Sequence, residues 1–304
     1  MRIAVVGAGG IGAIFGASLA KAGADVVFVA RGAHVAAMRE NGLRIEGDRA
    51  EIHIRPAYAT DDIASIGTVD YVLLAVKLWD VESAGEQIRS IVGANTAVIP
   101  LQNGVDAAER LSAILGPEPV MGGTALVTGS IVAPGVVRQT GTNQRMTFGE
   151  LDGRTSERGR RLADLCAGAG FEGVLSPDIM VPIWEKFLRL VPLAGLNALT
   201  RLPLGKWRAD PDLLALFETA LRETDAVGRA EGVRLPPDSV DKTLATMWSM
   251  PDYLMNSMGN DLLRGNRLEL PWFAGKVVEL GRRHAMPTPV NGFIYTALKP
   301  YANG

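Results

Sequence analysis

Arg2-Ile3-Ala4-Val5-Val6-Gly7-Ala8-Gly9-Gly10-Ile11-Gly12 joins an apolar run of strand character to Gly-x-Gly-x-x-Gly, and the helix-forming residues Ala13 to Lys21 follow at once. This is the strand, tight turn and helix of a dinucleotide site. The glycines have separate roles. Gly7 permits the turn, Gly9 leaves no side chain between backbone and pyrophosphate, and Gly12 lets the helix press on the strand. The helix N-terminus then offers free N–H groups to phosphate. The spacing alone is common, but bracketed by strand and helix it predicts a Rossmann-type α/β domain. Gly7, Ala8, Gly9, Gly10, Ile11 and Gly12 are the expected cofactor-binding residues of that turn.

The second buried strand, Asp25 to Val29, ends where such folds place an acid against the ribose hydroxyls, and here Ala30 and Arg31 hold that place. A carboxylate would repel a 2′-phosphate, whereas a guanidinium grips it with parallel charge-assisted hydrogen bonds. The expected cofactor is therefore NADP rather than NAD, with a solvated surface arginine as the ordinary alternative. His34 to Glu40 reads as a short helix. Residues 42–46 and 50–54 alternate around Gly47-Asp48, a hairpin signal, and His34 and His53 are expected at the surface. Val69 to Val76 and Thr96 to Leu101 are two more buried strands, ending in Lys77 and in Gln102-Asn103-Gly104. Ligands of open parallel sheets lie outside the carboxyl ends of the strands, which makes Lys77 and Asn103 candidate contacts. A strand-end lysine also serves simply as a solubilising cap.

Val120 to Thr128, Gly135 to Thr140 and Arg145 to Gly149 read as antiparallel or edge strands, Ser156 to Ala169 as a helix, and Phe171 to Leu175 as a last short strand. From Asp178 onward helical periodicity takes over: 179–199, 213–231, 239–250, 255–263, 269–284 and 289–301. The expected organisation is a dinucleotide-binding domain over 1–176 and an all-α domain over 177–304.

The 304 residues, 47% of them hydrophobic, suffice for two cores. A formal charge of −2 supplies no basic face for a polyanion, so nucleic acid is not an expected partner. One cysteine and three histidines give no disulfide and no metal-ligand spacing. The expectation is a metal-free protein of a reducing cytoplasm. No charged leader precedes the first strand, and the apolar stretch 187–200 is interrupted by Arg189 and Pro192 and is too short to span a bilayer, so no membrane partner is expected.

Two charged residues stand out in the helical half. Lys186 lies in the Trp184-Glu185-Lys186-Phe187 opening of an otherwise apolar helix, and Glu269 follows Arg267 where a helix is expected to begin. An amine against apolar walls has its pKa pulled down, and a carboxylate partner pushes it back up while orienting it, which suits a general acid near neutral pH. From composition alone each also has an ordinary structural role, Lys186 as a snorkelling side chain and Glu269 as a carboxylate favouring a helix N-terminus.

Gly7-x-Gly9-x-x-Gly12, Arg31-Gly32 with Asn41-Gly42-Leu43, Val76-Lys77, Leu101-Gln102-Asn103-Gly104-Val105 and Pro134-Gly135-Val136-Val137 are followed by a second set in the helical half. That set is Trp184-Glu185-Lys186, Ser257-Met258 with Asp261, Glu269, and Pro287-Thr288-Pro289-Val290-Asn291. Taken in order over nearly the whole chain, they resemble the successive motifs of the ketopantoate reductase (2-dehydropantoate 2-reductase) family. The resemblance implies a helical domain similar to the C-terminal domain of 6-phosphogluconate dehydrogenases, with NADPH and a small 2-oxo acid as reactants. It implies Lys186 as proton donor to the carbonyl oxygen, and Glu269 as the group orienting that lysine and the nicotinamide end of the cofactor. It further implies Asn103 on the nicotinamide ribose and substrate, Ser257 on the substrate carboxylate, and Arg31 with Lys77 on the adenosine phosphate.

Family members that reduce ketopantoate carry asparagines on the helix after the lysine and again shortly after it, where this chain has Leu190, Ala194 and Leu204. Asn197 is the nearby amide and the substitute candidate for substrate contact. The substrate is therefore open. Two further readings stay open with it: a non-catalytic NADP-binding sensor, and an opine or hydroxy-acid dehydrogenase working oxidatively. A homodimer is left open as well.

Overall fold

The computed structural model describes residues 1–304, which fall into two compact units, Met1–Gln102 with Asp106–Ile179 and Asn103–Val105 with Met180–Gly304. The first unit ends slightly beyond the expected residue 176. Ile179 packs beneath Gly122 and Gly149, where added Cβ atoms would come within 2.7 and 3.1 Å of its side chain.

The first unit runs β1 (Arg2–Val6), α1 (Gly10–Lys21), β2 (Asp25–Val29), α2 (Gly32–Asn41), β3 (Leu43–Gly47), β4 (Ile52–Ile54), β5 (Tyr58–Thr60), β6 (Val69–Leu74), α3 (Val81–Ile88), β7 (Val92–Pro100), α4 (Ala107–Leu115), β8 (Met121–Leu126), β9 (Gly129–Ala133), β10 (Val136–Gln139), β11 (Arg145–Glu150), α5 (Glu157–Gly168) and β12 (Glu172–Leu175). Five strands form a parallel sheet in the order β5-β2-β1-β6-β7. The chain moves outward from β1 to β5, then crosses to β6, so the strand order reverses at β1 and opens a crevice beyond the carboxyl ends of β1 and β6. The central strands β1, β2 and β6 are buried and apolar over most of their length because both sheet faces are covered there. Ile3 and Val5 of β1 join a core with Ile14 and Phe15 of α1, while Ala4 and Val6 point to the opposite core with Val81 and Ile88 of α3 and Leu111 of α4.

Two smaller sheets complete this unit, β4-β3-β10-β9 and β12-β11-β8. The hairpin read from Gly47-Asp48 is present, with Leu43 opposite Ile54 and Ile45 opposite Ile52. β10 is antiparallel to β9 and parallel to β3, and β11 is antiparallel to β8 and parallel to β12. Strands β5 and β9 and helices α3 and α4 were not expected from the sequence. β9 is almost wholly exposed, so its strand state comes from pairing with β10 and carries no signature in its own side chains.

The second unit is helical: α6 (Met180–Thr200), α7 (Leu204–Trp207), α8 (Pro211–Ala230), α9 (Ser239–Ser249), α10 (Ser257–Leu263), α11 (Ala274–Arg283) and α12 (Pro289–Leu298). Helix α6 is its axis, touching α8, α10, α11 and α12. Pro192 sits inside α6 without ending it. Gly228 of α8 lies under Trp184, where an added Cβ would come within 2.7 Å of the indole ring. Helix α12 takes its N-terminal cap from another helix: the buried Glu223 carboxylate accepts from the N–H groups of Val290 (2.8 Å) and Asn291 (2.9 Å) and from the Asn291 amide (2.8 Å). Hydrogen bonds to a charged group contribute about 1.5–3 kcal/mol each, enough to hold α12 against α8.

The expected helix from Glu269 is divided. Leu270–Trp272 forms a short tight turn and α11 starts only at Ala274. Pro271 fixes its φ and offers no N–H, which favours a turn before the helix proper. No helix is long and apolar enough to cross a membrane.

Candidate active site

The crevice of the first unit is built from the glycine turn. Gly7 has φ +91°, and a Cβ there would come within 2.7 Å of the Val76 nitrogen, so the position requires glycine. The N–H groups of Gly7 and Ala8 both donate to the Val29 carbonyl, at 3.1 and 2.9 Å, which locks the turn to β2. Gly9 occupies the N-cap of α1 with no side-chain cap, and nothing lies within 4 Å of where its Cβ would be. The first N–H groups of α1 are thus open to an anion. Gly12 and Gly10 serve packing: added Cβ atoms would lie 2.4 Å from the Gly7 oxygen and 2.1 Å from the Gly129 oxygen. Ile11 packs partly buried against the core.

Of the six residues of this turn, Gly7, Ala8 and Gly9 line a cavity of 260 Å³ that also takes in Arg31, His34 and Asp61. An open helix N-terminus, a glycine cradle and a cationic side chain at the end of β2 fit a dinucleotide. Arg31 is exposed at the start of α2. The Asp61 carboxylate in the same cavity is paired with Arg39 at 2.7 Å, and that guanidinium holds it below the usual carboxylate range, so its charge is balanced within the wall. Lys77 is exposed at the end of the neighbouring segment, its ammonium 5.5 Å from the centroid of the Trp79 ring.

His34 departs from the surface position expected of it. It is half-buried, its Nε2 donates to the Ala8 carbonyl (2.9 Å) and its Nδ1 accepts from the Gly135 N–H (3.0 Å). The imidazole therefore ties the glycine turn to the hairpin between β9 and β10. Gln102 has a similar role, donating from Nε2 to the carbonyls of Leu74 (3.0 Å) and Val76 (3.1 Å), which fixes the strand end preceding Lys77. Its neighbour Asn103 is half-buried and belongs with the helical unit.

In the helical unit, Lys186 is half-buried on α6. Burial pulls its pKa down to about 8, the positive charge of Arg189 pulls the same way, and the Glu269 carboxylate opposes both. Glu269 is 5% exposed at the start of the turn before α11. An ammonium in this state holds its proton at neutral pH and yields it more readily than an ordinary lysine. Ser257 is exposed at the first position of α10, and Asn256 ahead of it caps that helix by accepting from the Gly259 N–H at 2.7 Å.

The expectation that Asn197 contacts substrate is corrected. It is completely buried, its amide donates to the Leu202 carbonyl (2.8 Å), and its oxygen accepts from the Asn256 N–H (3.4 Å). The oxygen joins α6 to the segment that carries Ser257, and the amide holds the chain just past the end of α6. Of the three departures from the asparagine pattern, Ala194 and Leu204 are also completely buried, whereas Leu190 keeps accessible surface.

Comparison with known proteins bears on both units. The family described as ketopantoate reductase PanE/ApbA matches residues 3–153, and its C-terminal part matches residues 178–302. The chain belongs to the ketopantoate reductase PanE/ApbA family. A 2-dehydropantoate 2-reductase of Mesorhizobium japonicum is 34% identical over 310 residues, covering 95% of this chain and 94% of that one. The crystal structure of a PanE/ApbA family ketopantoate reductase from Ralstonia eutropha superposes with a TM-score of 0.92 at 29% identity, covering 99% of this chain and 98% of that one. A ternary structure of D-mandelate dehydrogenase with NADH and anilino(oxo)acetate has a TM-score of 0.91 at 22% identity, covering 99% and 98%, which is a likeness of fold. In PanE/ApbA terms, the first unit is the NAD(P)-binding Rossmann-type domain and the second the C-terminal helical domain.

Proposed function

We propose that this protein is an NADPH-dependent reductase that converts a 2-oxo acid to the 2-hydroxy acid, with Lys186 as proton donor. The observation that carries this reading is the state of Lys186, a half-buried ammonium with its pKa pulled to about 8 and a buried carboxylate, Glu269, acting on it. A structural lysine on a helix surface has no need of such a setting. The family membership and the cavity lined by the glycine turn and Arg31 support it, and the helical unit is taken to be of the 6-phosphogluconate dehydrogenase C-terminal type.

When bound, the reduced nicotinamide cofactor would supply a hydride to the carbonyl carbon from a C–H bond of its ring, which becomes the oxidised aromatic form. As the new C–H bond forms, the π pair of the C=O bond moves onto oxygen, and the Lys186 ammonium donates its proton there, leaving a neutral amine that is reprotonated from solvent. The ammonium also offsets the negative charge developing on that oxygen. Glu269 orients the lysine and the nicotinamide end of the cofactor. Asn103 contacts the nicotinamide ribose and substrate, the Ser257 hydroxyl donates to the substrate carboxylate, and Arg31 with Lys77 holds the adenosine phosphate.

Discrimination between the cofactors should rest on Arg31. The expected result is a preference for NADPH over NADH in kcat/KM that collapses in Arg31→Ala, a loss of about 1.5–3 kcal/mol for a charge-assisted contact to phosphate. Equal efficiency with both cofactors in the parent protein would remove this role.

The substrate follows less from the family name than from Leu190, the departure with accessible surface. An apolar wall gains from buried hydrocarbon at about 0.8 kcal/mol per CH₂, so 2-oxo acids with plain aliphatic or aromatic tails should be reduced more efficiently than ketopantoate, whose hydroxyl finds no amide at this position. The test is the loss of NADPH absorbance across a panel of 2-oxo acids that includes ketopantoate. NADPH binding without turnover of any member would favour the sensor reading, and a strong preference for ketopantoate would overturn the substrate reading alone.

A further inference from the structure

We propose that Arg189 binds the carboxylate of the 2-oxo acid, because it is a half-buried guanidinium on the accessible stripe of α6, one turn beyond Lys186, and has no hydrogen-bond or ion-pair partner in the protein. The proposal rests on the reading of Lys186 as proton donor and names the charge that recognises the substrate.

Helix α6 is buried around most of its circumference by Ile183, Trp184, Phe187, Leu188 and Val191. Pro182, Glu185, Lys186, Arg189 and Leu190 form the stripe that keeps accessible surface. Residues three apart on a helix have Cβ atoms about 5–6 Å from one another, so the two cations are neighbours. Burial lowers the Arg189 pKa, and the positive charge of Arg189 in turn lowers that of Lys186. Among the carboxylates, Glu185 acts on Arg189 from one turn earlier on α6 but is exposed and outside ion-pair distance, and Glu269 acts on Lys186.

Two adjacent cations, one of which lowers the other's hold on its proton and itself lacks any hydrogen bond, are unfavourable in the ligand-free protein. A 2-oxo acid completes the arrangement, since its carboxylate is bonded directly to the carbonyl carbon. With the carbonyl oxygen at the Lys186 ammonium, the carboxylate reaches the neighbouring guanidinium, whose planar fork matches it. The Ser257 hydroxyl alone would contribute a hydrogen bond without a charge. The carboxylate also neutralises the repulsion between the two cations, so substrate binding itself strengthens the hold of Lys186 on the proton it is to donate.

The test uses Arg189→Met, which keeps an unbranched apolar stem, and Arg189→Lys, which keeps the charge. The unreactive probe is oxamate, titrated with NADPH present, and the reactive pair is a 2-oxo acid turned over by the parent and its methyl ester. Arg189→Met should weaken oxamate binding and lower kcat/KM for the acid by about 10–150-fold, the range for a charged hydrogen-bonded contact. The ester should change by less than about threefold, and Arg189→Lys should recover part of the loss on the acid. With the ester, removing Arg189 should also move the alkaline limb of kcat/KM to higher pH, because its charge lowers the pKa of Lys186. The Tm of ligand-free Arg189→Met should be unchanged or higher. Equal losses on acid and ester, or undiminished oxamate binding, would overturn the proposal. A parent that turns over no 2-oxo acid would instead sink the reductase reading, and oxamate binding would still judge Arg189 on its own.

Discussion

Replacing Lys186 by alanine should lower kcat by about 10²–10⁴-fold, the range of a positioned general acid, while NADPH affinity by fluorescence titration changes little. The separation is expected because Lys186 lies on α6 and the phosphate-binding turn is on α1, in the other compact unit. Lys186→Met, with similar length and no charge, should lose as much, which distinguishes a missing proton from a missing stem. A variant with near-parent kcat would return Lys186 to a structural role. The pH dependence gives an independent check. Its pKa lies at about 8, below the ordinary 10.5, and the donor works only when protonated. Reduction should therefore be fully active below pH 8 and fall as pH rises through that value, while oxidation of the 2-hydroxy acid, which needs the neutral amine as base, should rise there. Folding stability has the opposite dependence to reduction. Between about pH 8 and 10.5 the unfolded chain holds the proton that the folded chain has released, so the contribution of Lys186 to stability improves as pH rises across that window.

Gly9→Asp should abolish dinucleotide binding without harming the fold. Gly9 is the N-cap of α1, its φ of −83° is open to any residue, and the site of its missing Cβ is free of neighbours within 4 Å. An aspartate there would cap the helix with its own carboxylate, occupying the N–H groups that a pyrophosphate would use and repelling its charge. Affinity for NADPH and NADH should fall by about 10²-fold or more, with Tm unchanged or raised. Gly12→Ala should behave differently, because its Cβ would meet the Gly7 oxygen at 2.4 Å, and backbone cannot move aside as a flexible side chain can. Overpacking of this kind costs about 1–3 kcal/mol and should lower Tm. If Gly9→Asp bound cofactor as the parent does, the anion would lie elsewhere than the N-terminus of α1.

The parts legible in the sequence were those whose cause is local. The glycine turn, the strands covered on both faces and the six-fold recurrence of helical periodicity after Asp178 all advertise themselves within a few residues. Features that depend on distant partners did not. His34 is held by groups 26 and 101 positions away, and β9 is a strand because β10 lies beside it. Asn197 looked like an amide available to substrate, but its partners lie at residues 202 and 256, and the sequence contains no sign of that commitment. Glu269 stood near a helix start in the pattern, and Pro271 inserted a turn before the helix began. Arg189 was visible only as an interruption of an apolar helix. Its place on the same accessible stripe as Lys186 emerged once the burial of each side of α6 was known.

The claim that this chain transfers hydride to a 2-oxo acid is tested by NADPH carrying deuterium on the transferring face of the nicotinamide ring. With a 2-oxo acid that the enzyme reduces, mass spectrometry should find one deuterium bonded to carbon 2 of the hydroxy acid, and none at that carbon when the label is in the solvent. Product lacking cofactor deuterium at carbon 2, or labelled there from solvent, would contradict the account.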